Sequence, residues 1–501
     1  MSMAALALNY CVSLDELLKG IAVAPALRVD DIACDSRAVR EGTLFIATQG
    51  MTHHGMDFLA DVISKGAIAV VFDSTTAEPP AADCAIPCIP VAGLARDVGE
   101  IANRFFDYPS RTLKVVGVTG TNGKSTVAWL LAACLGMLGA RAAYSGTLGY
   151  GTGTLKVDTD MTSPDVVQNH RRLAEFRDQG AEFAAIEVSS HALDQGRING
   201  TEFSGAIFTN LSRDHLDYHG EMRSYGEAKA RLFSAFPVKQ SVINIDSEFG
   251  RELGRRHIDN TTLVSTTSDC SEFASAFVFA RSIRASEHGS IVAFDSSWGN
   301  ASCSLPLPGR FNVANAACAL GYLLNQGYAL DACCAALAKV TAPPGRMQRV
   351  AGFSGPAVYV DYAHTPDALE VALTALRDHC RGELWCVFGC GGDRDAGKRP
   401  LMGNTADRLA DHVILTNDNP RSEPPAAIIA DIAEGVEQHD AKRIEDRSSA
   451  IAWAISNAAA DDVILIAGKG HENYQLIGSE RREFSDVNTA ALRLAARGTR
   501  A

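Results

Sequence analysis

The sequence lacks several features at once, and each absence excludes a class of protein. It has no excess of positive charge. There are 46 lysines and arginines against 59 aspartates and glutamates, a net charge of −13 and a pI near 5.5. Broad binding to nucleic acid or to an anionic membrane needs clustered positive charge, so the composition argues against both. It has no apolar run long enough to cross a bilayer; the longest, residues 127–140, falls short of the about 20 residues that a spanning helix needs. Residues 1–18 have no basic start and only a short apolar stretch, and do not read as a signal peptide. There is no low-complexity tract, short-period repeat or heptad pattern, so a monomer is the default expectation. The 13 cysteines, an odd number, include the adjacent Cys333 and Cys334, which cannot serve an ordinary disulfide framework. Reduced thiols in a cytoplasmic protein are the simple reading.

What is present is material for several cores. The chain has 501 residues, 47% apolar and 21% charged, enough for roughly three domains at about 150 residues each. Residues 1–107 read as a small α/β unit, with a buried strand at 67–72, an edge strand with its prolines at 85–91 and a helix at 94–106. Asp107, Tyr108, Pro109 and Ser110 break that helix and mark a first boundary. Residues 108–343 open with a strand at 113–118, a Gly-rich turn and an apolar helix at 127–138. Strand-like runs return at 183–188, 205–209 and 241–245, the rhythm of a parallel sheet. Ala342-Pro343-Pro344-Gly345 marks a second boundary. Residues 344–501 repeat the alternation, with strands at 357–360, 384–388, 412–416 and 462–467. The fold class is α/β.

Gly120, Thr121, Asn122, Gly123, Lys124, Ser125 and Thr126 lie between the strand at 113–118 and the helix that follows. Glycines let backbone N–H groups curl toward phosphate oxygens, and the helix N-terminus adds its positive end, so this is the context of a phosphate-binding loop. Lys124 would contact the β- and γ-phosphates of ATP, and the Ser125 hydroxyl would ligate magnesium. The pattern G-x-x-x-x-G-K-[ST] puts its first glycine at Val118; here the glycine is Gly120. Such a loop does not say what the ATP is for.

Other segments narrow the chemistry. Glu187 and His191 follow the strand at 183–188, at the end where α/β folds face their ligands. They are candidates for a magnesium site, although Mg²⁺ prefers oxygen and a histidine ligand is unusual; a hydrogen-bonded buried pair is the alternative. Residues 209–219 are dense in Asp and His, and a polar loop lining a nucleotide cleft fits them better than zinc. Residues 225–233 read by themselves as an exposed amphipathic helix with Lys229 solvated. Asn312 and Asn315 share a helix face after a turn, and either read a base edge or cap the helix. Arg346 follows the Pro-Pro hinge and offers a bidentate phosphate donor. Asp361 and His364 end a strand at the ligand-binding edge. Cys386 and Cys390 make no metal pair without a second Cys/His pair nearby. Three strand ends in the third region carry Arg394, Arg421 and Glu472. Guanidinium forks, a carboxylate and amides together suit a small zwitterion, whereas each arginine alone reads as a surface charge.

The segments 35–37, 120–126, 187–191, 212–219, 225–229, 361–367, 389–395, 418–421 and 468–472 occur in this order, and through them nearly the whole chain resembles the Mur ligase family. The resemblance implies three domains: residues 1–107 for the UDP end of a substrate, a central P-loop ATP-binding domain with a parallel or mixed sheet at 108–343, and a Rossmann-like amino-acid domain at 344–501. It implies an ATP-dependent, ADP-forming C–N ligase of cytoplasmic peptidoglycan precursor synthesis, with small molecules as its partners. ATP phosphorylates the D-Glu γ-carboxylate of UDP-N-acetylmuramoyl-L-Ala-D-Glu. The amine of meso-2,6-diaminopimelate then attacks the acyl phosphate, and phosphate leaves.

Residue by residue, the resemblance implies that Cys34, Ser36, Met51, Thr52 and His53 face the uridine nucleotide. Thr162, Ser163, Ser189, Gln195 and Arg197 hold the muramoyl-peptide; Met161 stands where the family has an amide. Asn312, Asn315, Arg346, Asp361 and His364 join the loop in binding ATP. Lys124, Glu187, His191 and Lys229 carry catalysis, and Ser125, Glu187, His191 and Lys229 hold Mg²⁺. Lys229 matches a lysine that the family carbamylates, which turns a cation into a carboxylate-like ligand. Arg394, Asp418, Asn419, Pro420, Arg421, Gly468 and Glu472 match the diaminopimelate pocket. Related ligases that add L-lysine lack the arginine of the 418–421 block.

Three other readings compete. One is the same ligase adding L-lysine. Another is a folylpolyglutamate synthase, which shares the loop chemistry but does not require the 418–421 block or the N-terminal domain. The third, a P-loop ATPase binding module, predicts hydrolysis without an amide acceptor and a basic partner surface; the charge of −13 speaks against it.

Overall fold

The computed structural model describes residues 10–50, 52–156, 162–273, 276–286, 288–350, 355–438 and 440–498. The chain divides into two compact units, residues 1–263 with 321–326, and residues 264–320 with 327–501.

The first unit contains a short antiparallel ladder, residues 12–13 with 28–29, and two larger sheets. Strands β1 (Asp31–Ala33), β2 (Thr43–Ala47), β3 (Ala67–Asp73) and β4 (Cys88–Val91) pair in parallel in chain order. Leu44, Ile46, Ala69 and Val71 point into one core, and Phe45, Ala47, Val70 and Phe72 into another. Burial on both faces is why the sequence of β2 and β3 shows continuous apolar runs rather than alternation. The edge strand is shorter than its sequence suggests. It begins at Cys88, after Pro87, which has no N–H to give a ladder. The stretch 94–106 is also divided, into a 3₁₀ turn, Leu94–Arg96, and helix α1, Val98–Phe105, with Asp97 at the junction. Asp107 and Tyr108 then both take positive φ, 54° and 44°, and end the helix where the sequence places a break.

The second sheet of this unit is built from β5 (Lys114–Thr119), β6 (Ala142–Gly146), β7 (Gly149–Gly151), β8 (Phe183–Glu187), β9 (Phe203–Phe208), β10 (Val238–Asn244) and β11 (Thr261–Ser265). Their order is β11-β10-β9-β5-β8-β6-β7. Strands β5 and β8 are parallel neighbours with Val118 opposite Glu187, so their C-terminal ends lie side by side. That register decides where the site forms. Helix α2 (Lys124–Met137) follows β5, and α3 (Val166–Asp178) packs with α1 through Val167, Ala174, Ile101 and Phe105. Arg171 of α3 donates to Asp31 at 2.6 Å and to the Ile32 carbonyl at 3.0 Å, which ties α3 to β1. Helix α4 spans Met222–Ser234.

The second unit holds an antiparallel meander, β12 (Ala276–Ser286), β13 (Gly289–Ser296) and β14 (Gly299–Leu305), and residues 310–320 of helix α5 (Arg310–Asn325). Its main sheet has β15 (Gln348–Arg349), β16 (Ala357–Asp361), β17 (Leu384–Phe388), β18 (His412–Leu415), β19 (Lys442–Arg443) and β20 (Val463–Ala467), in the order β15-β16-β20-β17-β18-β19. All of its pairs are parallel except β15 with β16. Apolar clusters cover both faces. Placing β20 between β16 and β17 gathers the loops after β16, β17, β18 and β20 at one sheet edge, the usual ligand-binding place in such folds. All 13 cysteines are free, and no helix among the described residues is long and apolar enough to cross a membrane.

Candidate active site

Strand β5 ends at Thr119, and the next seven residues wrap into the first turn of α2. Gly120 and Gly123 take φ of 151° and 85°, where an L side chain is strained. A Cβ on Gly120 would also run into the Thr209 hydroxyl. The segment after β9 clamps the loop from outside. Thr121 N–H donates to the Asn210 carbonyl at 2.9 Å and Asn122 N–H to Asn210 Oδ1 at 3.0 Å, while the Thr209 hydroxyl donates to the Asn122 carbonyl at 2.5 Å. Residues 209–212 are thus a polar loop against the nucleotide-type turn. Lys124 Nζ lies over the loop, donating to the Gly120 and Thr121 carbonyls at 2.9 and 2.8 Å. A helix start with a lysine and free-turning glycines is a ready anion cradle.

Glu187 stands next to this loop because β8 pairs with β5. Its carboxylate is buried, 3% exposed, and accepts from the Ser125 hydroxyl at 2.9 Å, Thr147 N–H at 2.9 Å, the Thr147 hydroxyl at 3.2 Å and the Tyr144 hydroxyl. The Ser163 hydroxyl donates to the Glu187 carbonyl at 3.0 Å, the Thr147 and Thr162 hydroxyls lie 3.2 Å apart, and Ser189 N–H donates to the Ser163 hydroxyl at 3.2 Å. Arg197 donates to the Ser163 carbonyl at 3.1 Å and grips Gln195 Oε1 at 2.9 and 2.6 Å. One hydrogen-bonded group therefore unites Thr162, Ser163, Ser189, Gln195 and Arg197 with Ser125 and Glu187. Met161 lies outside the described residues.

His191 sits in the short helix Ser190–Asp194, its ring centroid 4.3 Å from Tyr218, 4.9 Å from His215 and 5.4 Å from His219. Burial, then the neighbouring His215 and His219, lower its pKa. His219 Nε2 is 2.9 Å from the Ser190 hydroxyl, and a cleft of about 580 Å³ opens beside it.

The exposed reading of Lys229 is overturned. The lysine is 1% exposed, its Nζ donates to the Gly120 carbonyl at 2.9 Å, and it lies 4.1 Å from the Tyr225 ring centroid. The face of α4 that carries Tyr225, Gly226 and Lys229 is buried, so the helix is amphipathic but turns this lysine inward. Burial, then Lys124, drive the Lys229 pKa well below that of an ordinary lysine.

For a magnesium ion the donor set is mixed. The Ser125 hydroxyl and the Glu187 carboxylate are hard oxygen donors and fit it. His191 adds only nitrogen, and an unmodified Lys229 offers no acceptor; as a carbamate it would. Among the described residues no three His, Cys, Asp or Glu side chains group closely enough to hold a metal by themselves.

At the N-terminal sheet, Cys34 follows β1 and is half-buried; burial, then the Asp165 and Asp35 carboxylates, raise its thiol pKa. Asp165 caps α3 through Gln168 N–H at 2.9 Å. Asp35 caps the turn Ser36–Ala38 and pairs with Arg37 at 2.7 Å, while Lys65 donates to the Ser36 carbonyl at 3.0 Å. Thr52 and His53 are exposed, and Met51 lies outside the described residues.

In the second unit, Asn312 and Asn315 are buried and bonded locally, to the Pro308 carbonyl at 2.9 Å and to Asn312 Oδ1 at 3.4 Å. Arg346 lies over the Tyr362 ring at 4.6 Å. Asp361 ends β16 and accepts from Met347 and Ala363 N–H at 2.7 and 2.9 Å, and its burial raises its pKa. His364, its pKa lowered by burial, bonds the Tyr362 carbonyl at 2.8 Å. At the neighbouring strand ends, Arg421 donates to the Gly392 carbonyl at 2.6 Å. A Cβ on Gly391 would lie 3.0 Å from the Arg421 guanidinium and 3.7 Å from Arg394, so both arginines flank one turn. Asn419 donates to Glu472 at 2.8 Å, and a Cβ on Gly468 would stand 2.6 Å from Asp418. Arg394, Asp418, Asn419, Arg421, Gly468 and Glu472 therefore share one loop cluster, with Pro420 between two of them.

Three family descriptions match the chain: the catalytic domain of the Mur ligase family at residues 28–106, the Mur ligase middle domain at 118–323 and the Mur ligase glutamate ligase domain at 345–470. A Pseudomonas aeruginosa protein named UDP-N-acetylmuramoyl-L-alanyl-D-glutamate–2,6-diaminopimelate ligase is 47% identical over 472 residues, covering 94% of this chain and 96% of its own. The chain belongs to the Mur ligase family. A Xanthomonas campestris protein of the same name is 45% identical, with 97% of each chain covered. A solved structure of a ligase with that name superimposes at a TM-score of 0.71 with 36% identity, covering 97% of this chain and 99% of its own.

This Mur ligase also uses residues that its sequence did not mark. Tyr144 and Thr147 hold Glu187 from β6 and the turn after it, about 40 positions away in the chain. The one available signal was positional: they end a strand beside β8. Lys469, inside a Gly-Lys-Gly turn, is wholly buried against Asn419 and Glu472.

Proposed function

We propose that this Mur ligase joins meso-2,6-diaminopimelate to the D-Glu γ-carboxylate of UDP-N-acetylmuramoyl-L-Ala-D-Glu, forming ADP and phosphate, in the cytoplasm and as a monomer. The observation that carries the choice of amino acid is the loop cluster at the ends of β17, β18 and β20. It gathers Arg394 and Arg421 at one turn near Asn419, which bonds Glu472, a set of groups that complements the carboxylates and ammonium of a diamino diacid. A lysine substrate has no second carboxylate for Arg421.

We assign residues 1–107 to the UDP end, 108–343 to ATP and 344–501 to the amino acid. The loop 120–126 binds the ATP phosphates through backbone N–H groups, and Lys124 offsets the charge that develops as the γ-phosphoryl group moves to the D-Glu carboxylate. Ser125, Glu187, His191 and the carbamate of Lys229 would hold Mg²⁺, which supplies further neutralisation of phosphate charge when bound. The burial that lowers the Lys229 pKa supports its modification, because carbon dioxide reacts with an amine in its unprotonated form. Asn312, Asn315, Arg346, Asp361 and His364 complete the ATP contacts, and Cys34, Ser36, Met51, Thr52 and His53 take the uridine nucleotide. The group from Thr162 to Arg197 orients the muramoyl-peptide, so that its carboxylate meets the phosphoryl donor in line. The acyl phosphate replaces a poor leaving group with a good one. The diaminopimelate amine, oriented by Arg394, Arg421 and Glu472, attacks it, and no protein nucleophile is needed.

Trapping tests the intermediate. With Mg-ATP and the UDP-dipeptide but hydroxylamine in place of the amino acid, the expected product is the γ-hydroxamate with one ADP per hydroxamate. ADP formation without hydroxamate would contradict the acyl-phosphate route.

A further inference from the structure

Behind the residues assigned to the amino acid, one buried cation makes contacts that none of those assignments uses. Lys469 follows β20, and its side chain is 0% exposed. Its Nζ donates to Asn419 Oδ1 at 3.0 Å and to Glu472 Oε2 at 3.1 Å, and stands 3.9 Å from Asp418 Oδ1. Asn419 Oδ1 also accepts from Leu476 N–H at 3.0 Å. With two donors on its oxygen, the amide can point only one way, and its Nδ2 donates to the same Glu472 Oε2 at 2.8 Å. One carboxylate oxygen of Glu472 thus takes both donors, while Oε1 has no hydrogen bond among the described residues.

A space that only needed filling would suit leucine or methionine, since an ammonium is costly to bury unless acceptors converge on it. Here they do, and all three belong to the amino-acid cluster.

We propose that Lys469 is a positioning residue for the incoming amino acid, fixing Asn419 and Glu472 so that the second oxygen of Glu472 takes one substrate ammonium. The proposal rests on the reading of this cluster as the amino-acid pocket.

A double-mutant cycle tests it, with kcat and KM measured in the full-length enzyme for diaminopimelate and for ATP. Lys469→Met is expected to raise KM for diaminopimelate about 10- to 100-fold, the range that a charge-assisted hydrogen bond carries. KM for ATP should stay within about twofold of wild type, and Lys469→Arg should recover part of the loss. In a Glu472→Gln background, Lys469→Met should add less than about threefold, because its route to the substrate is already cut. Equal losses in both backgrounds, or a parallel rise in KM for ATP, would show that the lysine only supports the fold and would overturn the proposal. If Lys469→Met does not fold, Lys469→Gln, which keeps a donor and removes the charge, carries the same expectation. A wild-type enzyme that uses no diamino diacid would instead overturn the underlying function.

Discussion

Glu187 shows how closely single residues are set in this site. Four donors from three other residues meet its carboxylate, and Gly146 leaves no room for it to move: a Cβ there would collide with the carboxylate. Gly146→Ala should therefore displace Glu187 and lower kcat by at least about 100-fold, as loss of a preorganised electrostatic group does, with ATP binding by calorimetry largely kept. Unchanged kcat would show that Glu187 has no part in the chemistry. Arg421 makes a second prediction. Arg421→Ala should lower kcat/KM for diaminopimelate by two orders of magnitude or more, given about 1.5–3 kcal/mol for each charge-assisted bond. Arg421 has φ of 52°, which strains alanine and arginine alike, so a fall in Tm is not expected to accompany the loss. The phosphate loop and Glu187 were legible in the sequence because each follows a strand directly. Lys229 was not. Its burial comes from the Gly120 carbonyl and the loop 109 residues away, which no local pattern records.

At the scale of elements, the strands read from apolar runs were placed to within two or three residues, whereas those at 31–33, 43–47 and 142–146 and the antiparallel meander at 276–305 were not read at all. Within the segments that were read the differences are local: Pro87 delays β4, and Asp97 interrupts the helix before α1. Close packing between elements was invisible. Gly99 in α1 approaches the Asn199 carbonyl so closely that a Cβ would clash, and Asn103 of the same helix donates to the Gly200 carbonyl at 2.6 Å. Gly99→Ala should lower Tm, although alanine is intrinsically better in a helix by about 1 kcal/mol; a raised Tm would show that the helix shifts freely. His170 of α3 carries a pH dependence. It is buried, with Nε2 2.9 Å from the Asn199 carbonyl, and burial lowers its pKa to about 4 from the ordinary 6.5. The unfolded chain binds the proton more readily, so this contribution is fully present above about pH 6.5 and is lost as the pH falls toward 4, by about 3 kcal/mol at most. His170→Asn should flatten the fall in Tm between pH 6.5 and 4.5 relative to wild type; parallel profiles would contradict this assignment.

At the scale of the whole molecule, parallel sheets with ligand loops at their strand ends could be read from the alternation of strands and helices. The assignment of each region to a substrate could not; it came from ordered motifs spread over the chain. Physically, the composition sets a soluble-type interior and an acidic surface, while the chemistry depends on a few polar loops that composition averages away. In the proposed reaction, ATP turnover is coupled to a diamino diacid. The most direct measurement is phosphate release with Mg-ATP and UDP-N-acetylmuramoyl-L-Ala-D-Glu, run with meso-2,6-diaminopimelate, with L-lysine and with neither. Rapid release with diaminopimelate alone is the predicted result. Release with lysine at an equal rate, or release that ignores the amino acid, would contradict it.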